Sequence, residues 1–360
     1  MTGDMNFRNI SFLFIILIFA AACQKNVDID LDNQPPLPEN VKDSTELIKS
    51  IRLNRLEVSG EPSDDSVKED YFYDTINKKI IVTYDHSASN PDYYNFIGYE
   101  HSYDNNGLLK SVTHKYRDGF VPYDRFLVSV KIDYDADKVI QKLTTQNYKG
   151  DIRVVPFTKT SLPGGKYELA WDEPLFTGWA EDTINKRATF STDGRCLRVE
   201  YRRMYENAMG EPLRFLIYID SLIYDAAGNI QKIQETNIDT TNHEEEDYLG
   251  CEFFSHYTKG DQLYKQKQLL LNGIANMPFD EDLFSGNISG ILSYFLDDYE
   301  SKQYHKYPFQ TAKVYGGNAI QYRNFTSTVE FDSKNRLTKF TGFFNDVELF
   351  PYVFEIGYYK

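Results

Sequence analysis

Tyr103-Asp104-Asn105-Asn106-Gly107-Leu108-Leu109 is the stretch that decides the fold, because the chain writes it again as Tyr224-Asp225-Ala226-Ala227-Gly228-Asn229-Ile230 and as Phe331-Asp332-Ser333-Lys334-Asn335-Arg336-Leu337. The shared pattern is an aromatic residue, Asp, two variable residues, Gly or Asn, one variable residue and an aliphatic one. This is the chemistry of a β-hairpin corner. Asp at the first turn position accepts backbone N–H bonds, two residues turn in the right-handed region, and Gly or Asn takes the left-handed position at the exit. Asp104, Gly107, Asp225, Gly228, Asp332 and Asn335 are therefore expected to be structural turn residues.

Weaker copies begin at Tyr134, with Lys138 in the glycine position, and at Phe190, with Ser191 for Asp and Gly194 kept. Tyr73 and Tyr257 head more degenerate ones. Asp74-Thr75-Ile76-Asn77-Lys78 recurs verbatim as Asp182-Thr183-Ile184-Asn185-Lys186, which points to duplication. The starts mostly fall about 30 to 34 residues apart, the length of two strands, a tight turn and a return loop. Between corners, the run Arg214 to Tyr224 is apolar on both alternating faces: Phe215, Ile217, Ile219 and Ile223 on one, Leu216, Tyr218, Leu222 and Tyr224 on the other. Both faces need cover, which a flat single layer cannot give. The expected fold is all-β: an antiparallel meander of repeated β-hairpins curled into a barrel or half-barrel. One segment departs from it. Ile288, Ile291, Leu292, Phe295 and Tyr299 fall three and four apart, so one short helix is expected near 287–299, covering a sheet end.

Upstream of the repeats, the apolar run Ile10 to Phe19 is about 10 residues, too short to cross a bilayer as a helix, so it reads as the core of a signal peptide over residues 1–22. Ala20-Ala21-Ala22-Cys23 resembles the lipobox of bacterial lipoproteins. The resemblance implies lipid attachment, palmitate included, at Cys23, which becomes the mature N-terminus and holds the protein to a membrane. Gln24, a residue other than Asp after that cysteine, implies the outer membrane. Gln24-Lys25-Asn26-Val27-Asp28-Ile29-Asp30 partly resembles the export signals of Bacteroidota surface lipoproteins, which favours the cell surface over the periplasmic face. Residues 23–46, with Pro35, Pro36 and Pro38 and few large apolar groups, read as a lipidated flexible tether. Asp28, Asp30, Asp32 and Glu39 fall at calcium-loop spacing. Asn33 replaces the turn glycine and no amphipathic helix flanks the loop, so the acidic tether is preferred to a metal site.

With corners and lipobox in view, residues 47–360 resemble YD (RHS-like) repeats, and the whole chain resembles Bacteroidota lipoproteins of barrel-like, porin-like β fold. The resemblance implies a fold and an envelope location. Its motif is turn chemistry, so it implies no activity. Arg336 fits the slot where RHS shells carry Arg after the glycine position; Asn229 does not.

Composition narrows the function classes. Asp+Glu 54 against Lys+Arg 39 gives −15 with no basic stripe, which excludes a nucleic-acid partner. An apolar fraction of 41%, with 28 Tyr and 25 Phe, supplies a core and excludes a disordered chain. Beyond Cys23 only Cys196 and Cys251 remain, and in a meander other strands separate them, so two buried free thiols are favoured over a disulfide.

Catalytic and cofactor motifs are absent from the sequence: it has no HExxH, GxSxG, SxxK or CxxC and no phosphate-cradling glycine loop. His86, His101, His114, His243, His256 and His305 show no metal-ligand spacing and are expected at the surface or at strand edges. His243-Glu244-Glu245-Glu246-Asp247 reads as a solvated hairpin loop. The best local candidate for ligand binding is Trp171, Asp172, Glu173 and Trp179, where the only two tryptophans fall beside acids. Indole faces stack on sugar rings and carboxylates accept hydroxyl hydrogen bonds. The plainer reading is two tryptophans closing a sheet end. The expected function is a non-catalytic cell-envelope lipoprotein presenting a β surface to a glycan, peptide or protein partner, with no metal and no cofactor. The alternatives are a surface hydrolase with a glycosidase-like acid pair and a membrane-embedded β-barrel.

Overall fold

The computed structural model describes residues 47–55, 67–86, 96–116, 127–147, 150–174, 183–206, 212–239, 244–274, 306–316, 321–344 and 352–359. In chain order the strands are β1 (Ile48–Arg55), β2 (Val67–Asp74), β3 (Lys79–His86), β4 (Phe96–Tyr103), β5 (Leu109–Tyr116), β6 (Leu127–Tyr134), β7 (Ile140–Asn147), β8 (Ile152–Pro156), β9 (Thr158–Ser161) and β10 (Tyr167–Pro174). They continue as β11 (Thr183–Phe190), β12 (Cys196–Glu206), β13 (Pro212–Tyr224), β14 (Ile230–Asp239), β15 (Glu244–His256), β16 (Phe309–Gly316), β17 (Gln321–Phe331), β18 (Leu337–Phe344) and β19 (Tyr352–Tyr358). One α-helix, α1 (Gln262–Leu270), stands between β15 and β16.

Neighbouring strands pair antiparallel, and the ladder returns on itself. Ile51 of β1 stands opposite Glu69 of β2 on one side and opposite Ile356 of β19 on the other. The first and last strands therefore join the sheet into a nearly closed barrel, so the half-barrel alternative falls away. The seam is at Phe157. β8 pairs with β7 and β9 with β10, while Phe157 between them donates its N–H to the Gln141 carbonyl at 2.8 Å. Closure buries one face of every strand but the exposed β9, and alternate residues such as Tyr71, Val82, Val112, Leu143, Leu169, Phe325 and Phe354 form one contiguous core. In β13 the even-numbered face turns inward, burying Asp220 and Leu222, while Ile223 is exposed.

The corners of the aromatic-Asp motif share one geometry. Asp104 N–H donates to the Leu108 carbonyl at 2.9 Å, and Asp135, Ser191, Asp225 and Asp332 make the same bond four residues on. Asp104 Oδ1 accepts from the backbone N–H of Asn106 and Leu108 at 2.8 and 2.9 Å, and Asp332 Oδ1 accepts from Lys334 and Arg336 likewise. The exit residue is left-handed in each: Gly107 at φ 76°, Gly228 at 90°, Asn335 at 60°, and Lys138 at 63°. Next to each corner the register slips, so that the motif aromatic stands opposite the motif aliphatic: Tyr103 opposite Leu109, Tyr224 opposite Ile230, Phe331 opposite Leu337. A bulge leaves backbone groups without ladder partners. Tyrosines of other units supply some of them. Tyr134 donates its hydroxyl to the Leu109 carbonyl at 2.7 Å, Tyr224 to Cys196 at 2.8 Å and Tyr358 to Leu337 at 2.6 Å.

Four expectations need correction or placing. The repeated pentapeptide is a turn at Asp74–Lys78, but Thr183–Lys186 lies in strand β11, so the two copies are not structural equivalents. The copy headed by Tyr257 opens into α1 rather than a hairpin. Glu244–Asp247 is the start of β15, paired with β14, and not a loop. The helix near 287–299 falls outside the described residues, as do the signal peptide, the tether and Cys23.

Helix α1 forms from good helix formers, QLYKQKQLL, with no β-branched residue. Gly260 at φ 93° precedes it and Gly273 at φ 98° follows its end. A Cβ on Gly260 would come within 2.7 Å of the Phe331 ring, so this approach needs glycine.

Candidate functional site

The motif corners gather at one end of the barrel, and α1 follows β15 out of that same end and fills it. Its inward face carries Gln262, Gln266, Lys267 and Leu270, all buried. Gln266 Nε2 donates to the Tyr73 hydroxyl at 2.7 Å, which itself donates to the Ile48 carbonyl at 2.7 Å. Gln262 Oε1 accepts the backbone N–H of Leu337 at 3.1 Å. Just past the helix, the Asn272 carbonyl accepts the N–H of Leu109 at 2.9 Å, and Tyr103 donates its hydroxyl to the Leu270 carbonyl at 3.1 Å. Leu109 and Leu337 are the bulge residues whose carbonyls the tyrosines cap. The helix thus supplies the matching acceptors, and polar side chains face inward because the barrel end presents polar backbone. Burial pushes the Lys267 ammonium well below its ordinary range.

The wall carries further buried polar groups. Glu69 accepts the Tyr71 hydroxyl, and Tyr359 donates to the Tyr71 carbonyl at 2.5 Å. His101 and His114 sit inside around Tyr99, whose ring is 4.8 Å from that of His114, which corrects their expected surface placement. Burial pushes His101 down to about 3 and His114 down to about 4, so both are neutral in the barrel. The buried carboxylates among the described residues, Glu69 and Asp220, lie on β2 and β13, and no adjacent strands bring them together. Cys196 and Cys251 are buried thiols that form no disulfide, on strands separated by β13 and β14.

The sequence-derived ligand residues are parted by strand alternation. Trp171 points inward, 4% exposed, stacked on Phe157 at 5.1 Å. Asp172 points outward and accepts from Asn185 Nδ2 at 2.7 Å. The Glu173 side chain and Trp179 lie outside the described residues. What Trp171 does adjoin is Lys186, directly opposite on β11 and 7% exposed, then Tyr201 on β12 and Tyr218 on β13. The two tyrosine rings stack at 4.6 Å and 7°. Composition gave no sign of this row, because it exists only through the register of four strands.

The outer wall is charged. Lys79 and Lys115 flank Glu100 across three strands, Lys142 pairs with Asp133 at 2.9 Å, Arg198 and Arg202 flank Glu200, and Lys232 pairs with Glu252 at 3.3 Å. Partial burial pushes the Glu100 and Glu200 carboxyls up, but the hydrogen bonds from their flanking cations outweigh it and hold both below the usual range.

No protein-family model matches the chain, and no curated protein matches it. Among solved structures it is similar to a porin-like protein from Bacteroides uniformis at 10% identity and a TM-score of 0.35, covering 87% of this chain and 98% of that one. A porin-like protein from Bacteroides vulgatus gives 8% identity and a TM-score of 0.29 over the same shares. Overlaps this loose leave the fold resting on the strand register.

Proposed function

We propose that this chain is a non-catalytic, lipid-anchored protein of the bacterial outer envelope, tethered through Cys23 and residues 23–46, whose barrel offers a binding surface to a glycan, peptide or protein partner. The observation that carries the reading is the outer wall. A barrel set in lipid needs an apolar band about 25 Å tall, and a Lys or Arg at its midplane costs roughly 2–4 kcal/mol. Ion pairs at mid-strand on β4, β12 and β15 interrupt any such band and suit a wall standing in water. A lipid on a tether then provides the membrane attachment that the wall does not. The lack of catalytic motifs in the sequence supports binding over glycoside hydrolysis.

The test is release. A protease site engineered between Asn33 and Pro38 of the full chain is cut on isolated membranes. The barrel is expected in the detergent-free supernatant, still folded. A cut barrel that stays in the pellet through a carbonate wash contradicts the proposal in favour of a membrane-embedded barrel.

A further inference from the structure

We propose that Asn106 is a modification site: its side-chain amide is lost spontaneously to water through a succinimide, and the isoaspartyl product loosens the hold of this corner on α1. Deamidation needs the backbone nitrogen of the next residue to reach the Asn side-chain carbonyl carbon, and a glycine, with no Cβ, allows that approach best. The chain has two Asn-Gly pairs, Asn106-Gly107 and Asn272-Gly273. Their surroundings differ. Asn106 lies exposed at the tip of the β4–β5 corner, and its Nδ2 makes only a long bond of 3.4 Å to Asp104 Oδ2. Asn272 is half-buried, with its Nδ2 donating to the Gly107 carbonyl and its own carbonyl accepting the Leu109 N–H at 2.9 Å. Turning its side chain toward Gly273 breaks the first of these bonds. Asn105 is followed by a residue with a Cβ, and its Oδ1 accepts from the Lys78 ammonium at 2.7 Å.

The reaction takes only water. The Gly107 nitrogen, released from its bond to the Asp104 carbonyl at 3.1 Å, attacks Asn106 Cγ; the Cγ–Nδ2 bond breaks, and the amide NH2 leaves with the Gly107 proton as ammonia. Water then opens the ring at either carbonyl. Opening at Cγ gives Asp, whereas opening at the main-chain carbonyl gives isoaspartate, whose chain runs on through Cβ and Cγ and is longer by a methylene. Asp suits this slot, because Asp137 occupies it in the β6–β7 corner. The extra methylene does not. It falls inside every bond that closes the corner: Asp104 N–H to the Leu108 carbonyl at 2.9 Å, Leu108 N–H to Asp104 Oδ1 at 2.9 Å, and Gly107 N–H to the Asp104 carbonyl. Gly107 and Leu109, the residues that hold Asn272, lie just beyond it. A chemical change in an exposed turn is thereby passed to the helix that fills the barrel end.

The inference stands whether or not the barrel binds a ligand. The full chain in detergent micelles is aged in mildly alkaline buffer, folded and in urea, and peptide mass spectrometry with isoaspartyl methyltransferase labelling follows each Asn. Folded protein is expected to convert Asn106 about tenfold faster than Asn272, a preference that vanishes in urea. Hydrogen exchange at the Leu109 amide is expected to be about tenfold faster in the isoaspartyl fraction than in fresh parent. Asn106→Asp, and aged Asn106→Ala, which copies Ala227 of the β13–β14 corner, are expected to keep the slow exchange. Asn106 intact after ageing, equal conversion of Asn272 in the folded protein, the same preference in urea, or Leu109 exchange that is equal with and without isoaspartate would each overturn the site. Fast exchange in Asn106→Asp would overturn it too, since the effect would then lie in charge rather than in the lengthened chain.

Discussion

Tyr134 and Tyr224 each place one hydroxyl on a carbonyl that a β-bulge has removed from its ladder, and that hydroxyl separates a closed corner from a buried unmet acceptor. Tyr224→Phe keeps the ring against Arg195 and removes only the bond to Cys196, so a loss of about 1–3 kcal/mol is expected. Urea midpoints at constant slope measure it, and an unchanged midpoint contradicts the role. Lys138 presents the opposite case. It holds φ 63° where sister corners use glycine or Asn, a conformation costing an ordinary residue roughly 1–2 kcal/mol. Lys138→Gly is expected to gain about 0.5–1 kcal/mol after glycine's greater unfolded-state entropy is set against the relief. A melting temperature below that of the parent would refute this. Corners were legible in the sequence because their chemistry is local, Asp to N–H groups two and four residues on. The interior polar groups were not. Glu69 lies in Lys68-Glu69-Asp70, and nothing in three successive charges says which one faces inward. Alternation likewise parts Trp171 from Asp172, chain neighbours that composition reads as one cluster.

At the scale of the element, α1 shows why an amphipathic search misses a plug. Its buried face, Gln262, Gln266, Lys267 and Leu270, is mostly polar: Gln262 answers a bulge N–H and Gln266 a tyrosine hydroxyl. Periodicity of apolar residues finds helices that cover oil, not helices that cover backbone. Gln262→Leu leaves the Leu337 N–H buried without its acceptor. The variant is expected to lose about 1–3 kcal/mol, read from chemical denaturation. Equal stability of parent and variant would mean that the helix merely rests on the barrel end. The repeated Thr-Ile-Asn-Lys segments make the same point from the other side. One is a turn and one a strand, so tertiary pairing overrides local sequence.

For the whole molecule, burial of His101 and His114 couples stability to pH. Their pKa values, about 3 and about 4 in the barrel, lie below the unfolded value of about 6.5, so the unfolded chain binds protons that the folded one refuses. Stability is full above about pH 6.5 and falls as pH drops toward 4, by up to about 1.4 kcal/mol per unit for each histidine. Asp193, held at about 2 chiefly by its hydrogen bond from Arg195, adds its loss only in stronger acid. A His101→Phe/His114→Phe variant is expected to flatten melting temperature against pH between 6.5 and 4; a slope equal to the parent's would place the acid sensitivity elsewhere. Closure itself was the part of the fold that repeats left open between barrel and half-barrel, since it depends on strands separated by nearly the whole chain. The most direct measurement of it joins Arg52→Cys to Glu355→Cys, exposed residues directly opposite on β1 and β19. Mild oxidation of the folded protein is expected to give an intramolecular disulfide, seen as a faster non-reduced band, while Arg52→Cys with Lys142→Cys stays reduced. Reduced thiols at 52 and 355, or a link only between molecules, would contradict a sheet closed by its first and last strands.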